Sequence, residues 1–476
     1  MTLAWFSPWP PDPSGIADRS AELVPVLAGR GHGVDVFVDA GRVPVPKRHE
    51  PTPPAAGDVR VMSAHDFVWR MVTRPYDLVV YQVGNSHLHE FIWPYLFRWP
   101  GLSVLHDGRL HHARALALLS SGRVEAYRAE FAWNHPGVPL AAAELVISGF
   151  DGVYASQWPM VRGVIESSRV TAAHARGAGA ALAAESARSI EYIALGGGLQ
   201  RPVPEAARRA RRASAGIPDQ AVVFGAFGGL TTEKRIRQIV RAFAAVHPGH
   251  PDTRLVLAGR PDPALDLDGL VQGLGVAAVT TMLGRLDQPA FDEWIAAADV
   301  SLNLRWPGTL ETSGPWLRAL SAGRPTVIID LEHHADVPAL DPRTWQPHAH
   351  AGADRRPAAA VAIDILDEDH SLRAAMRRLA ADPALRDRLG RAARTFWEEE
   401  HTVARMADDY GRVMARALTV QAAAPGGRPP HLAPDAWAHT QALAAPFVGT
   451  LSSGLEPLTG PAPPHGGSVS SDTSTR

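Results

Sequence analysis

The sequence predicts an α/β protein built from two parallel-sheet domains. Three observations carry that prediction. Short apolar strand-like runs alternate with segments of helical period, and the alternation restarts after a basic stretch near residue 205. The length of 476 residues also exceeds what one ordinary core accommodates.

In the first series, "TLAWFS", "HGVDVFVD", "YDLVVYQVG", "LSVLHDG", "DGVYASQ", "SRVTAAH" and "IEYIALGG" read as strands, with "DRSAELVPVLAGRG" as a clear helix between the first two. After "EAARRARRASAGIPD" come "AVVFGAFGGL", "RLVLAGR", "AAVTTMLGRL", "ADVSLNLR" and "PTVIID". Each is followed by a helix-like segment, the pattern of βαβ units covered on both faces. This divides the chain into a first domain over 1–205, a second over 206–395, a helical segment over 396–421, and a tail over 422–476. Pro, Gly, Ser and Thr dominate that tail, which reads as largely disordered apart from one short helix around "DAWAHTQALAAPFVGTL".

Composition narrows the function. With 47 basic and 49 acidic residues the net charge is −2, so there is no electrostatic case for a nucleic-acid partner. Cysteine is absent, which excludes disulfides and thiolate metal sites. The start lacks a basic and then apolar leader pattern, and no run of 18 apolar residues follows, so a soluble, cytoplasmic protein is expected.

The chemistry concentrates in three loops. In "RWPGTLETSGPWLRALSAG" (305–323) a carboxylate, Glu311, precedes Thr312, Ser313 and Gly314 at the mouth of a helix between two strands. Thr312 or Ser313 can cap that helix, Trp316, Leu317 and Leu320 form its buried stripe, and Gly323 with Pro325 ends it. Small residues there leave backbone N–H groups open to an anion. In "FGGLTTEKRIRQIVRAFAAV" (227–246), Thr231 or Thr232 is read as the cap, which puts Lys234 in the first turn, where a cation opposes the helix dipole unless an anion offsets it. Pairing of Lys234 with Glu233 on a solvated face is the alternative. In "PWPPDPSGIADRS" (8–20), Ser14 and Gly15 stand at another helix start, where glycine also serves ordinary turn geometry.

Together with "PPDPSGIADRSAELVPVLAGRGHGVDVF", "SVLHDG", "LVLAGR" and "MLGRL", these segments resemble the retaining glycosyltransferases of GT-B architecture, group 1 (family 4-like), over roughly residues 1–420. The resemblance implies two Rossmann-like doubly wound domains facing a cleft, an acceptor-side first domain, a nucleotide-sugar-binding second domain, and C-terminal helices that cross back to the first. It also implies roles. Glu311 resembles the acidic residue that accepts hydrogen bonds from the nucleotide ribose, Thr312, Ser313 and Gly314 the residues that meet the diphosphate, and Lys234 the lysine that neutralises it. Gly15 resembles the first-domain glycine near the phosphate and sugar, and His106 the histidine beside the reacting sugar; the alternative for His106 is a loop histidine bonded to Asp107. The partners implied are a nucleotide-diphosphate-sugar donor and a glycan, lipid-linked or small-molecule acceptor, with no cofactor and at most peripheral membrane contact.

The chain departs from the family pattern twice. Ala319 stands where a second acidic residue usually lies, and Gly229 where an arginine is common. Arg305 is a candidate donor-site residue that restores the missing positive charge. These departures favour the competing reading, a catalytically silent relative that binds nucleotide-sugar or serves as a scaffold; intact Glu311 and Lys234 favour the enzyme. The sequence shows no carboxylate pair suited to double displacement. "DLD" (266–268) and "DED" (367–369) mimic a metal-binding DxD, but acidic residues at helix starts are ordinary, and no histidine spacing supports zinc, so no metal is expected. The aromatic stretch "EFIWPYLFRWPG" (90–101) reads as core, an acceptor pocket or a lipid contact.

Overall fold

A computed structural model describes residues 1–45, 54–150, 157–199, 203–348, 356–422 and 426–432. The first sheet comprises β1 (Thr2–Phe6), β2 (Gly33–Val38), β3 (Val59–Ser63), β4 (Leu78–Val83), β5 (Leu102–Leu105), β6 (Val170–Ala173) and β7 (Ile190–Tyr192), in the order β3-β2-β1-β4-β5-β6-β7. The second comprises β8 (Val222–Phe227), β9 (Thr253–Ala258), β10 (Thr280–Gly284), β11 (Val300–Leu302), β12 (Thr326–Ile329), β13 (Ala339–Leu340) and β14 (Ala360–Ile363), in the order β10-β9-β8-β11-β12-β14-β13. Neighbouring strands run parallel throughout; Phe6, for example, lies between Phe37 and Tyr81. Burial on both faces explains why the central strands are unbroken apolar runs rather than alternating ones.

Strands β3, β13 and β14 are absent from the sequence reading. Strand β3 carries Arg60, whose guanidinium is held by the fully buried Asp35 of β2 through bonds of 2.6 and 2.7 Å, an interaction that local patterning cannot show. The strand read in "DGVYASQ" and the helix read in the tail lie outside the described residues. The basic stretch before the second domain is structural. Within the helix Glu205–Ser214, the buried Arg212 donates to the carbonyl of Ala297 and pairs with Asp299 at 2.8 Å, which fastens this helix to the second domain. The aromatic stretch at 90–101 is core: Trp93, Tyr95, Phe97 and Trp99 are all buried.

The two sheets are joined through Gly196–Gly198. Gly197 adopts φ of +144°, and a Cβ there would fall on the Arg19 guanidinium, so only glycine passes. Trp397 Nε1 donates to the Gly197 carbonyl at 2.6 Å. The chain then turns at His401 into the helix Val403–Thr419, which lies against the first sheet and the helix Gly15–Gly29. Its apolar face, Met406, Tyr410, Val413, Met414 and Ala417, is almost wholly buried, and Tyr410 packs on Trp5 at 5.3 Å between ring centroids. Among the described residues no helix is long and apolar enough to cross a membrane.

This packing distinguishes the two faces of the last helix. Val413→Asp puts a carboxylate without a partner into an apolar core and is expected to cost about 3 kcal/mol or more, lowering the melting temperature by about 6 °C or more. Leu418→Asp, at a residue 41% exposed, should leave the melting temperature nearly unchanged. Equal thermal unfolding of the two variants would contradict the placement of this helix.

Candidate functional site

Because the strands are parallel, all of them end on one edge of each sheet, and the strand order reverses between β1 and β4 and between β8 and β11. At such a reversal successive loops diverge and leave a crevice. The three candidate loops follow β1, β8 and β11, and His106 follows β5 directly.

The loop after β11 is clamped to the first domain. The Gly108 N–H donates to the Thr309 carbonyl at 2.5 Å, Arg109 donates to the Gly308 carbonyl at 2.5 Å, and the Thr312 hydroxyl reaches the His174 carbonyl at 3.3 Å. Thr309 Oγ1 lies 2.7 Å from Asp107 Oδ1 and 2.5 Å from Glu311 Oε2, while the Thr309 N–H donates to the same Glu311 oxygen at 2.8 Å. One hydroxyl carries one proton, so it cannot donate to both carboxylates. Asp107 is the side able to hold the second proton: burial, reinforced by the Glu311 charge, pushes its carboxyl up to about 6.

Glu311 Oε1 has a different environment. Arg305 Nε stands 2.6 Å away as an ion pair, but off the line of an N–H bond, so Oε1 is a buried acceptor with no hydrogen bond. Arg305 is thus committed to Glu311 rather than placed free beside a diphosphate. Ser313 is the cap of the helix Gly314–Ser321 and accepts from the Trp316 N–H at 3.4 Å. Space opens in front of that helix start, since a Cβ on Gly314 would touch nothing within 4 Å. Trp316, Leu317 and Leu320 are buried as read from the sequence.

Lys234 requires a correction. The helix begins at Ile236, and Arg235, at φ 58° and ψ 28°, breaks the helical path before it, so Lys234 sits in the preceding turn and neither Thr231 nor Thr232 is the cap. Arg235 is held there by Glu368 through a bond of 2.7 Å from its Nε. The consequence is that Lys234 Nζ folds back over the end of β8 and donates to the Phe227 carbonyl at 3.2 Å. Gly228, at φ +90°, makes room: a Cβ there would lie 2.4 Å from Nζ. Burial, assisted by the Arg305 charge, lowers the Lys234 ammonium to about 8.

Lys234, Asn303, Arg305, Glu311, Ser313 and His333 line one cavity of about 20 Å³. That is room for a single water molecule, so these side chains stand close together. Gly15 does not line it; it lies exposed at the start of its own helix, whose cap is Ser14.

His106 belongs to a buried polar cluster at the carboxyl edge of the first sheet. Gln82 Oε1, at the end of β4, accepts from the Tyr410 hydroxyl at 3.1 Å and lies 2.7 Å from His106 Nε2, so Nε2 carries the ring proton. The ring partner of His106 is therefore Gln82 and not Asp107. The His174 ring lies tilted to it with centroids 4.5 Å apart, and burial lowers His106 well below the ordinary histidine range and His174 and His89 to about 4. All three rings are neutral near pH 7.

Sequence reasoning missed Gln82, Tyr410, Thr309 and His174, which only folding brings to these positions. Asp107 was adjacent to a candidate, but its true partners, the Asn85 N–H at 2.7 Å and Thr309, are remote in sequence. Nor was the juxtaposition of Asp107 and Glu311 visible. Ala319 lies fully buried with Phe227 and Trp294 on the core side of its helix, so a carboxylate at that position would be buried in an apolar cluster. Asp266 is a helix cap bonded to the Gly269 N–H at 2.9 Å, an ordinary structural use of "DLD". Among the described residues no group of three or more His, Asp or Glu side chains is arranged to hold a metal.

Comparison with known proteins bears on the fold. Residues 221–344 match the family model of the group 1 glycosyl transferases. A sequence search of curated proteins returned no match. Among solved structures, Anabaena HepE in complex with UDP superposes with a TM-score of 0.57 at 12% identity, covering 87% of this chain and 100% of its own. Sucrose-phosphate synthase from Thermosynechococcus elongatus gives 0.58 at 17% identity, covering 88% and 99% respectively. The catalytic domain of Arabidopsis thaliana starch synthase IV, bound to ADP and acarbose, gives 0.57 at 13% identity, covering 88% and 99%. The chain thereby has the GT-B fold, and residues 221–344 of its second half are similar to the group 1 glycosyl transferases.

Proposed function

We propose that the chain is a retaining glycosyltransferase that moves a sugar from a nucleotide-diphosphate donor to an acceptor hydroxyl, without a bound metal, in the cytoplasm. The observation that carries this reading is the convergence of a buried lysine, an unbonded carboxylate oxygen and a capped helix start on one cavity of the domain that matches the group 1 model. HepE, a structural neighbour, has been seen with UDP and with UDP-glucose, which supports a donor of that class.

In this reading the donor opens the closed site. Ribose hydroxyls take Glu311 Oε1 and displace Arg305, whose charge then becomes available to the diphosphate beside Lys234, Thr312, Ser313 and Gly314. Cleavage of the glycosyl phosphate bond leaves negative charge on the diphosphate, and Lys234 with the helix start stabilises it more as it grows. The sugar lies between this group and the first domain, where Gly15 offers an unobstructed backbone and the neutral His106, its Nε2 proton held by Gln82, offers Nδ1 and its own carbonyl. No side chain is assigned as nucleophile. The acceptor attacks from the face the diphosphate leaves, and the departing phosphate takes the acceptor proton. Buried Ala319 and the uncharged Gly229 favour a second reading, a silent relative that binds the donor without turning it over.

The deciding experiment supplies a panel of nucleotide-sugars with cell-derived acceptors in the presence of chelator and follows the first-formed product by proton NMR. Transfer with the donor's anomeric configuration kept is expected. Inversion would refute retention, rescue only by added divalent metal would refute the metal-free route, and donor binding without turnover would establish the silent relative.

The lowered Lys234 pKa predicts a pH dependence of defined sign. Near pH 7 the free lysine is already charged, so binding of a nucleoside diphosphate is insensitive to pH; above about 8 it must be recharged on binding, so affinity falls by up to about tenfold per pH unit. Lys234→Arg should abolish that fall, since guanidinium does not titrate there. Calorimetry between about pH 7 and pH 9.5 checks this.

Gly229 offers a gain-of-function test. It is exposed, and the nearest atom to a Cβ there is Thr231 Cγ2 at 3.7 Å. Gly229→Arg should tighten nucleoside diphosphate binding about tenfold through one charge-assisted contact. Unchanged affinity would mean that the diphosphate lies elsewhere.

A further inference from the structure

We propose that the first domain holds a second anion site, on the edge of the sheet opposite the cleft, that takes a phosphate or phosphomonoester group. The site is a cavity of about 250 Å³ lined by Arg169, Thr171, Arg188, Ser189, Arg416 and Val420. Arg169 directly precedes β6, Arg188 and Ser189 precede β7, and Arg416 lies in the last turn of the helix Val403–Thr419. Three segments far apart in sequence thus bring guanidinium groups to one hollow at the amino ends of two neighbouring strands.

The charges there are not balanced by the protein. Glu191 pairs with Arg416, but it also pairs with Arg412 at 2.8 Å. Among the described residues no carboxylate pairs with Arg169 or Arg188. Counting Glu191 wholly against the three lining arginines leaves a net charge of about +2, the match of a phosphate dianion. The donors are also left over. Arg169 Nε is buried with no hydrogen-bond partner, and so is the hydroxyl of Thr171, a residue only 2% exposed. Burial lowers the Arg169 guanidinium, with no neighbouring carboxylate to oppose it. A half-buried guanidinium whose inner Nε has no partner, beside a buried hydroxyl that has none, is costly to keep, and a bound anion lowers that cost. Arg188 is already oriented, since it donates to the Ser168 carbonyl at 2.6 Å, and Ser189 Oγ accepts from Arg416 at 3.4 Å.

A tetrahedral phosphate suits this donor set better than a carboxylate does. Its several acceptor oxygens can meet guanidinium forks from three directions together with a hydroxyl. Apolar Val420, beside the arginines, gives the carbon side of an ester a surface to lie on. The same chemistry is presented by a soluble phosphate ester and by a lipid headgroup.

The test is a calorimetric titration of inorganic phosphate at low ionic strength into the full chain and its Arg169→Gln, Thr171→Val and Lys234→Ala variants. Arg169→Gln is expected to weaken binding about tenfold or more and Thr171→Val by a smaller factor, whereas Lys234→Ala, in the cleft, should leave this binding intact. Phosphate binding that survives Arg169→Gln in a folded Lys234→Ala background, that is lost in Lys234→Ala alone, or that is absent from the full chain would overturn the proposal. If Arg169→Gln does not fold, Arg416→Gln, at a side chain half exposed, takes its place with the same expectation. Because the variants separate the two sites, failure here leaves the donor-site reading standing. Flotation with phosphatidylcholine vesicles, with and without about 20 mol % phosphatidic acid, identifies the source of the phosphate. Phosphatidic-acid-dependent flotation lost with Arg169→Gln assigns a lipid headgroup, and phosphate binding without flotation assigns a soluble ester; either outcome sustains the site.

Discussion

Parallel strand pairing is the constraint on which the rest of this structure depends. A parallel sheet sends every strand to the same edge and forces the chain back over a face before the next strand begins. All the groups that matter to the cleft, Lys234 after β8, Glu311 after β11 and His106 after β5, are therefore delivered to carboxyl edges within a few residues of a buried strand. Burial of β4 and β8 holds those ends in place, and the reversal of strand order beside β1 and β8 parts the loops. The opposite edges receive the turns before strands, and there the arginines before β6 and β7 meet the end of the last helix.

The groups of the two domains that meet at the cleft satisfy one another. The Thr309 hydroxyl lies between Asp107 and Glu311, an acid of each domain, and Arg305 neutralises the second oxygen of Glu311 without bonding it well. This arrangement lowers the cost of burying two acids at a domain interface, and it sets the terms for any ligand. In the proposed reaction a donor must offer contacts at least as good as those of Thr309 and Arg305 to take Glu311 from them.

Electrostatics divides the labour between the domains. On the first-domain side burial holds His106, His174 and His89 uncharged beside Asp107 and Arg109, whereas the second-domain side carries Lys234 and Arg305.

The sequence by itself determined the two α/β domains and the loop that carries Glu311 and Ser313, because alternation of apolar runs, a capping residue and a helix-ending glycine are all local signals. It also exposed the missing charges at Ala319 and Gly229. Only the tertiary structure decided where Lys234 points, since the left-handed turn at Arg235 is held by Glu368 more than a hundred residues away. It likewise decided that His106 is bonded to Gln82, that Asp107 and Glu311 meet at Thr309, and that the arginines before β6 and β7 line one hollow. Such facts rest on contacts between residues distant in the chain, and a hydrogen bond is chosen by what folding leaves within about 3 Å of a donor, which no periodicity records.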